Sequence, residues 1–259
     1  MTTPSERVVG SDRVLAVLLE LAEHPGGISL DDLAQRVNGS KPTVHRALAS
    51  LRKAGLAAQS ARGVYELGDE FLRLAYRFQD ARPETARIEP LLRELAAEFG
   101  ETAHFGILDR DQIVYRAKVD PPVGAIRLTS TIGGRNPASS TAMGKLLLSF
   151  DIHSLGELQS WLGSAKLHAH TEHTLTTPET LFADIAASAE RGYGIDDQEN
   201  EIGINCIALP VFLEPGRPVS GAVSVSGLAY RRSLESLVSS VERLRGIVES
   251  HLGAGSTRP

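Results

Sequence analysis

From Arg13 onward the apolar residues Val14, Val17, Leu18 and Leu21 recur at intervals of three and four, the stripe of one helix face. The proline and glycines of "HPGG" end that helix. Leu30, Leu33, Ala34 and Val37 repeat the spacing behind Ser29, an N-cap, with Asp32 three residues on, where a carboxylate favours a helix start. Asn38-Gly39 closes this second helix, and the glycine is expected in the left-handed conformation. A third helix is expected to open on Ser40 as its cap, with Pro42 in the first turn, where a missing N–H costs little. Its core face would carry Val44, Ala47, Leu48 and Leu51, and its outer face Thr43, Arg46, Ser50 and Lys53. After Gly55, "LAAQSARGVYELG" reads as two short strands around Ala61-Arg62-Gly63. Two helices across a tight turn, then a hairpin, make a winged helix-turn-helix whose second helix suits the major groove.

The pattern changes at "DEFLRLAYRFQDAR", which places Leu72, Ala75, Phe78 and Gln79 on one stripe, with Phe71 and Leu74 beside it, before Pro83. Such a helix packs either on its own chain or on a twin. "ETARIEPLLRELAAEF" continues as a helix into strands near 102–108 and 112–119, joined by "DRD". "AIRLTS" is expected as a further strand, "GGRNP" as a turn, and "SSTAMGKLLLSF" as a helix. "TTPETLFADIAASAERGYG" is a helix capped by Thr177, with Pro178 first and Gly192 as its stop. "GINCIALPVF" and "VSGAVSVSG" pair across "LEPGRP". One long helix from Ser233 to about Leu252 aligns Leu237, Val241, Leu244 and Val248, and "GAGSTRP" reads as a frayed tail. Strands and helices segregated in this way suggest an α+β domain on an antiparallel sheet.

Composition adds one asymmetry. The chain has 259 residues, enough for two domains, and a formal net charge of −5. Yet 36–65 holds Arg36, Lys41, Arg46, Arg52, Lys53 and Arg62 with no Asp or Glu. A basic face on an acidic chain points to a polyanion as partner. The first apolar run is short and contains acids, so neither a signal peptide nor a membrane span fits. A single cysteine, Cys206, excludes an intrachain disulfide and suits a reducing cytoplasm.

Candidate chemistry lies in the second half. Alternate strand residues share a side, so Ile204 goes with Cys206 and Ser224 with Ser226. Hydroxyls and a thiol on one wall fit a half-polar pocket, with Asp196 as an acceptor at its mouth. Gly144 precedes a helical run whose N–H groups could hold a carboxylate. Cys206 with a histidine could instead be a nucleophile pair, which leaves open a small-molecule enzyme with an accessory helix-turn-helix. His168, His170 and His173 in "HAHTEH" could suggest a metal, but no cysteine or acid pattern completes a shell. No phosphate-binding glycine loop is present, and no cofactor or metal is expected.

"VLAVLLELAEHPGGISLDDLAQRV", "KPTVHRALASLRKAGL" and "RGVYELG" resemble the N-terminal winged helix of IclR-type bacterial transcription regulators. "RGYGIDDQENEIGINCIALPV" and "SGAVSVSG" are similar to that family's effector-domain signature. The resemblance runs from about Arg13 to Gly253. It implies a winged helix-turn-helix at 7–68, a dimer-forming linker helix at 69–83, a GAF-like effector domain at 84–253 and a tail at 254–259. It implies a cytoplasmic repressor or activator, a homodimer or dimer of dimers on a palindromic DNA operator. Its effector would be a small, carboxylate-bearing metabolite. DNA contacts would fall to Ser40, Lys41, Thr43, Val44, Arg46 and Arg52, with Arg62 from the wing. Effector contacts would fall to Met143, Gly144, Asp196, Ile204, Cys206, Ser224 and Ser226, with Leu128 on the apolar wall. The chain departs from the family at Gly39, where a bulky aliphatic is usual, and at Pro42, where a small hydroxyl residue is usual. The operator sequence therefore does not transfer from relatives. Asn205 stands where relatives carry a basic residue beside the cysteine.

Overall fold

The first apolar stripe forms helix α1 (Gly10–Ala22), which buries Val17 and Leu21. The structure is a computed structural model that describes residues 10–80, 83–121, 128–214 and 216–257. It divides into two units, Met1–Arg82 and Pro83–Pro259. In the first unit α1 is followed by β1 (Ile28–Ser29), α2 (Leu30–Arg36), α3 (Lys41–Lys53), β2 (Ala57–Ala61), β3 (Val64–Leu67) and α4 (Asp69–Asp80). Val17, Leu21, Leu33, Val44, Leu48, Leu51 and Tyr65 form its core. The sheet order is β1-β3-β2, so the wing hairpin gains a two-residue third strand that hydrophobic alternation is too short to reveal.

Ser29 caps α2: its Oγ accepts from the Asp32 amide at 3.1 Å and donates to the Asp32 carboxylate at 2.6 Å. The turn after α2 differs from expectation. Asn38, not Gly39, has the left-handed backbone, with φ 47°. Asparagine tolerates that region because its short polar side chain bonds locally. Gly39 is needed for closeness instead: a Cβ there would stand 3.0 Å from Val44 Cγ2 and 3.2 Å from Arg13 Nη1. Arg13 reaches from α1 to donate to the carbonyls of Val37 and of Asn38 (3.0 Å), satisfying the end of α2. Ser40 has N-cap backbone geometry but makes no side-chain cap bond; its hydroxyl pairs with Thr43 Oγ1 at 2.8 Å.

Helix α4 begins at Asp69 as expected and ends at Asp80. Phe71, Leu72, Leu74 and Tyr76 are exposed on it. The side chains of Phe78 and Gln79 lie outside the described residues, as do 81–82.

The second unit runs α5 (Pro83–Phe99), β4 (Thr102–Asp109), β5 (Gln112–Val119), β6 (Arg135–Pro137), α6 (Ala142–Leu148), α7 (Leu155–Leu162), α8 (Pro178–Arg191), β7 (Gly194–Asp197), β8 (Ile204–Val211), β9 (Gly221–Leu228), α9 (Leu234–Ser239) and α10 (Val241–Leu252). The six strands form one sheet in the order β6-β5-β4-β9-β8-β7, with every neighbouring pair antiparallel. Phe105, Ile207, Leu209, Val223 and Val225 pack with Leu91 and Leu95 of α5 and Leu244 and Val248 of α10. Ala208, Ala222 and Ile113 pack with Met143 and Leu146 of α6. Two mixed α+β units, the second built on an antiparallel sheet, match the expected fold class.

Several local expectations change. Arg135–Pro137 of "GGRNP" is a short edge strand paired to β5, not a turn. Leu128–Ser130 of "AIRLTS" is irregular, and 125–127 lie outside the described residues. The final helix breaks at Ser240, whose hydroxyl donates back to the Ser236 carbonyl at 2.9 Å. Residues 253–257 of the tail are docked, not frayed. Phe212 N donates to Ser256 O at 2.8 Å, and Arg245 Nη1 holds Thr257 through its carbonyl (3.2 Å) and hydroxyl (2.9 Å).

Helix α6 sits close to the preceding turn because Gly144 has no side chain: a Cβ there would lie 2.2 Å from the Ala138 carbonyl oxygen. Gly246, in α10, is exposed with nothing within 4 Å of such an atom. Gly144→Ala should therefore lose about 3 kcal/mol, since backbone must move to admit the methyl. Gly246→Ala should gain about 1 kcal/mol from helix propensity alone. Urea unfolding of both variants measures the contrast.

Candidate functional site

In the first unit the exposed edge of α3 presents Arg46, Arg52 and Lys53, and the wing tip presents Arg62. None of these four makes an ion pair or side-chain hydrogen bond among the described residues. Lys41 is exposed but paired with Asp31 at 2.8 Å, which holds its ammonium at the helix start. Thr43 is half-buried and bonded to Ser40, and Ser50 donates to the Arg46 carbonyl at 3.2 Å. Val44 is a correction: it is fully buried in the core, so its side chain has no route to a base edge. The i, i+3, i+4 spacing of Val44, Ala47, Leu48 and Leu51 had already placed it on the inner face.

In the second unit a cavity of about 210 Å³ opens between the sheet and the segment 128–136. Leu128, Met143, Asp196, Ile204, Cys206, Ser224 and Ser226 line it. Register explains the grouping: Asp196 pairs with Cys206, Cys206 with Ser226, and Ser224 with His104 across adjacent strands. Gly144 does not line it. Its amide donates to Thr141 Oγ1 at 3.1 Å, the helix cap, so it is not free to hold a carboxylate. Asn205 faces elsewhere, donating to the Arg232 carbonyl at 3.0 Å.

The sequence reading missed His104, Tyr115 and Asn136, which also line the cavity. A bulge between Phe105 and Gly106 sets β4 against β5 so that the His104 and Tyr115 rings lie 4.8 Å apart. His104 Nε2 meets Ser130 Oγ at 2.8 Å, and Asn136 donates to the Tyr115 hydroxyl at 3.1 Å. Lys118 donates to the carbonyls of Leu128 (2.9 Å) and Ser130 (2.7 Å) and pairs with Asp120 at 3.1 Å, so it pins this irregular wall. No periodic signal marks such cross-strand partners.

Burial governs the ionisation here. It pulls His104 down to about 3, with help from the Lys118 charge, and the ring is neutral. It pushes the Tyr115 phenol up to about 12. Asp196 is raised to about 7, first by burial and then by the Glu199 charge, against the pull of Lys145 and the backbone amides of Glu199 and Asn200. The Cys206 thiol is pushed well above its ordinary value by burial and then by Asp196. A thiol held protonated in mid-strand is a poor nucleophile, which counts against Cys206 in that role.

Behind Asp196 lies a buried ion cluster the sequence did not announce. Lys145 is fully buried and pairs with Asp184 at 2.6 Å and with Glu199. Arg191 adds a contact to Asp184 at 3.2 Å. The "HAHTEH" segment is a loop; the hydroxyls of its Thr171 and of the following Thr174 each donate at 2.6 Å to the turn after β7. Among the described residues no group of three or more His, Cys, Asp or Glu could hold a metal, and no helix is long and apolar enough to cross a membrane.

Comparison with known proteins places both units. Residues 11–61 match the model of the IclR helix-turn-helix domain, and 84–250 match that of the C-terminal domain of bacterial IclR transcriptional regulators. The HTH-type transcriptional regulator KdgR of Escherichia coli (strain K12) is 36% identical over 226 residues, covering 87% of this chain and 84% of that protein. A transcriptional regulator from Rhodococcus sp. RHA1 shares 31% identity with a TM-score of 0.75, over 94% of this chain and 97% of that one. An IclR homologue from Microbacterium hydrocarbonoxydans, complexed with 4-hydroxybenzoate, has the same fold at 20% identity, with a TM-score of 0.76 over 93% and 99% of the two chains. With both halves matched in order, the chain belongs to the IclR family of bacterial DNA-binding transcriptional regulators.

Proposed function

We propose that this regulator is effector-responsive: α3 and the wing engage an operator, and the cavity of the second unit takes a small, carboxylate-bearing metabolite. The observation that carries the first half is the edge of Arg46, Arg52, Lys53 and Arg62, cationic and without internal partners among the described residues. Such an edge neutralises phosphates in a chain that is negative overall. Arg46, near the start of α3, is placed to read a base, while Arg52, Lys53 and Arg62 hold the backbone. The exposed apolar residues of α4 support self-association, and a two-fold dimer would read a palindromic operator.

The second half rests on the cavity. Its volume of about 210 Å³ sets the scale of a small guest. Hydroxyls of Tyr115, Ser130, Ser224 and Ser226 face it, suited to an oxygen-bearing acid. The 4-hydroxybenzoate complex of the distant homologue is consistent with such a guest. Binding would act by favouring one arrangement of the DNA-reading units over another.

Gel retardation on an operator selected from fragmented genomic DNA tests the first half. Arg46→Ala should weaken specific retention by about tenfold to a hundredfold, and Lys53→Ala should weaken all sequences alike and lower the salt slope by about one. Unchanged retention in Arg46→Ala removes the assignment of α3. A thermal-shift screen of carboxylic acids tests the second: acids that stabilise the wild type should shift operator affinity, and Ser224→Ala should blunt that response. Acids that bind without altering operator affinity refute the coupling.

A further inference from the structure

Among the described residues, the cavity wall offers an incoming acid no cation without an acidic partner. Among its described lining residues the formally charged ones are Arg135, Asp196 and Glu201. Arg135 is bridged to Asp109 at 2.7 Å. Lys145 is committed to Asp184 and Glu199, and Lys118 to two carbonyls and Asp120. A carboxylate entering this wall meets an aspartate in a place that water screens poorly, and two bare carboxylates there would repel.

Asp196 is where that conflict must be resolved. It is 3% exposed and lines the cavity. Its Oδ1 already accepts from the Glu199 amide at 2.8 Å and the Asn200 amide at 3.4 Å. The groups that face it are Lys145 from α6, Glu199 from its own turn, the Cys206 thiol from β8 and the Tyr115 phenol from β5. Glu201, at the exposed rim, adds to the negative side.

We propose that the cavity binds a monocarboxylate together with one proton from solvent, which Asp196 holds on its second carboxyl oxygen and donates to the ligand's carboxylate. The idea rests on reading the cavity as the effector site. The acid and its partner then share one proton, a short charge-assisted hydrogen bond in place of a repulsion. Burial agrees with this: Asp196 is raised to about 7, so the proton is at hand near neutrality and is withdrawn as pH rises. A dicarboxylate would bring a second charge with no free cation among the described residues, so the site favours monoacids.

Isothermal titration of 4-hydroxybenzoate, benzoate, pyruvate and lactate into the full chain, in buffers of different ionisation heat, tests it. The expected result is about one proton taken up per acid at pH 8, with Kd about tenfold weaker at pH 8 than at pH 6, as a single linked site near 7 requires. Asp196→Asn keeps an oxygen for both amides, carries no charge, and should flatten that dependence. Infrared difference spectra of the wild type minus Asp196→Asn, without ligand, should show a protonated-carboxyl band at pH 6 that fades by pH 8. Absence of the band at pH 6, or pH-independent binding without proton uptake, overturns the inference and leaves the regulator reading intact. If none of the four acids binds between pH 6 and pH 8, the carboxylate identity of the effector falls, and this inference with it; operator retention still judges the regulator.

Discussion

A slip of one residue along β4, β8 or β9 would exchange the helical core of the second unit for its cavity wall. These strands are two-faced: Phe105, Ile207, Leu209, Val223 and Val225 bury against α5 and α10, while His104, Cys206, Ser224 and Ser226 turn the other way. Because strand periodicity is two, the apolar set locks the polar set in place. Burying five large apolar side chains on one face stabilises the register by about 10 kcal/mol in transfer terms. The wall hydroxyls contribute little by comparison and are carried along. The bulge in β5, at Arg116, is the one departure, and it keeps Tyr115 on the same side of the sheet as His104.

The first unit solves a different problem, holding a basic edge still without spending its cations. Arg13 lies in α1, and its guanidinium ties the end of α2 through the Val37 and Asn38 carbonyls. Gly39 lets α3 approach that clamp closely. Among the described residues Lys41 is the one basic residue of α3 held by an acid, leaving Arg46, Arg52 and Lys53 outward. Affinity for a polyanion is thus set locally, and the chain's net charge of −5 reflects acids elsewhere in the sequence.

Caps, stripes and alternation were legible from sequence because each is a local rule. Ser29, Thr177 and Gly192 stand where the rules put them. Leu237, Val241, Leu244 and Val248 share a buried face despite the break at Ser240. The pairing of Cys206 with Ser226, and the presence of Asp196 beside them, follow from strand alternation once β7 and β9 flank β8. Features that depend on distant partners were not legible. Gly144 resembles a free helix start until Thr141 is seen to use its amide. The tail looks frayed until Arg245 is seen to hold Thr257. Lys145 sits in an apolar run with no nearby acid in sequence; its partners arrive from α8 and from the turn after β7.

That buried lysine explains why the cavity keeps a titratable acid. An ion cluster of this kind is seldom a net gain in stability over apolar packing, because desolvation offsets the attraction. Its value here is positional and electrostatic. Lys145 ties α6 to α8 and to Glu199, whose amide binds Asp196 Oδ1. Burial and the Glu199 charge push Asp196 up, while the Lys145 charge and two amides pull it back. Without the lysine only the two amides would oppose burial and the Glu199 charge, and the acid would be pushed higher still. With it, Asp196 is balanced close to neutrality, where a single arriving charge decides whether the proton stays.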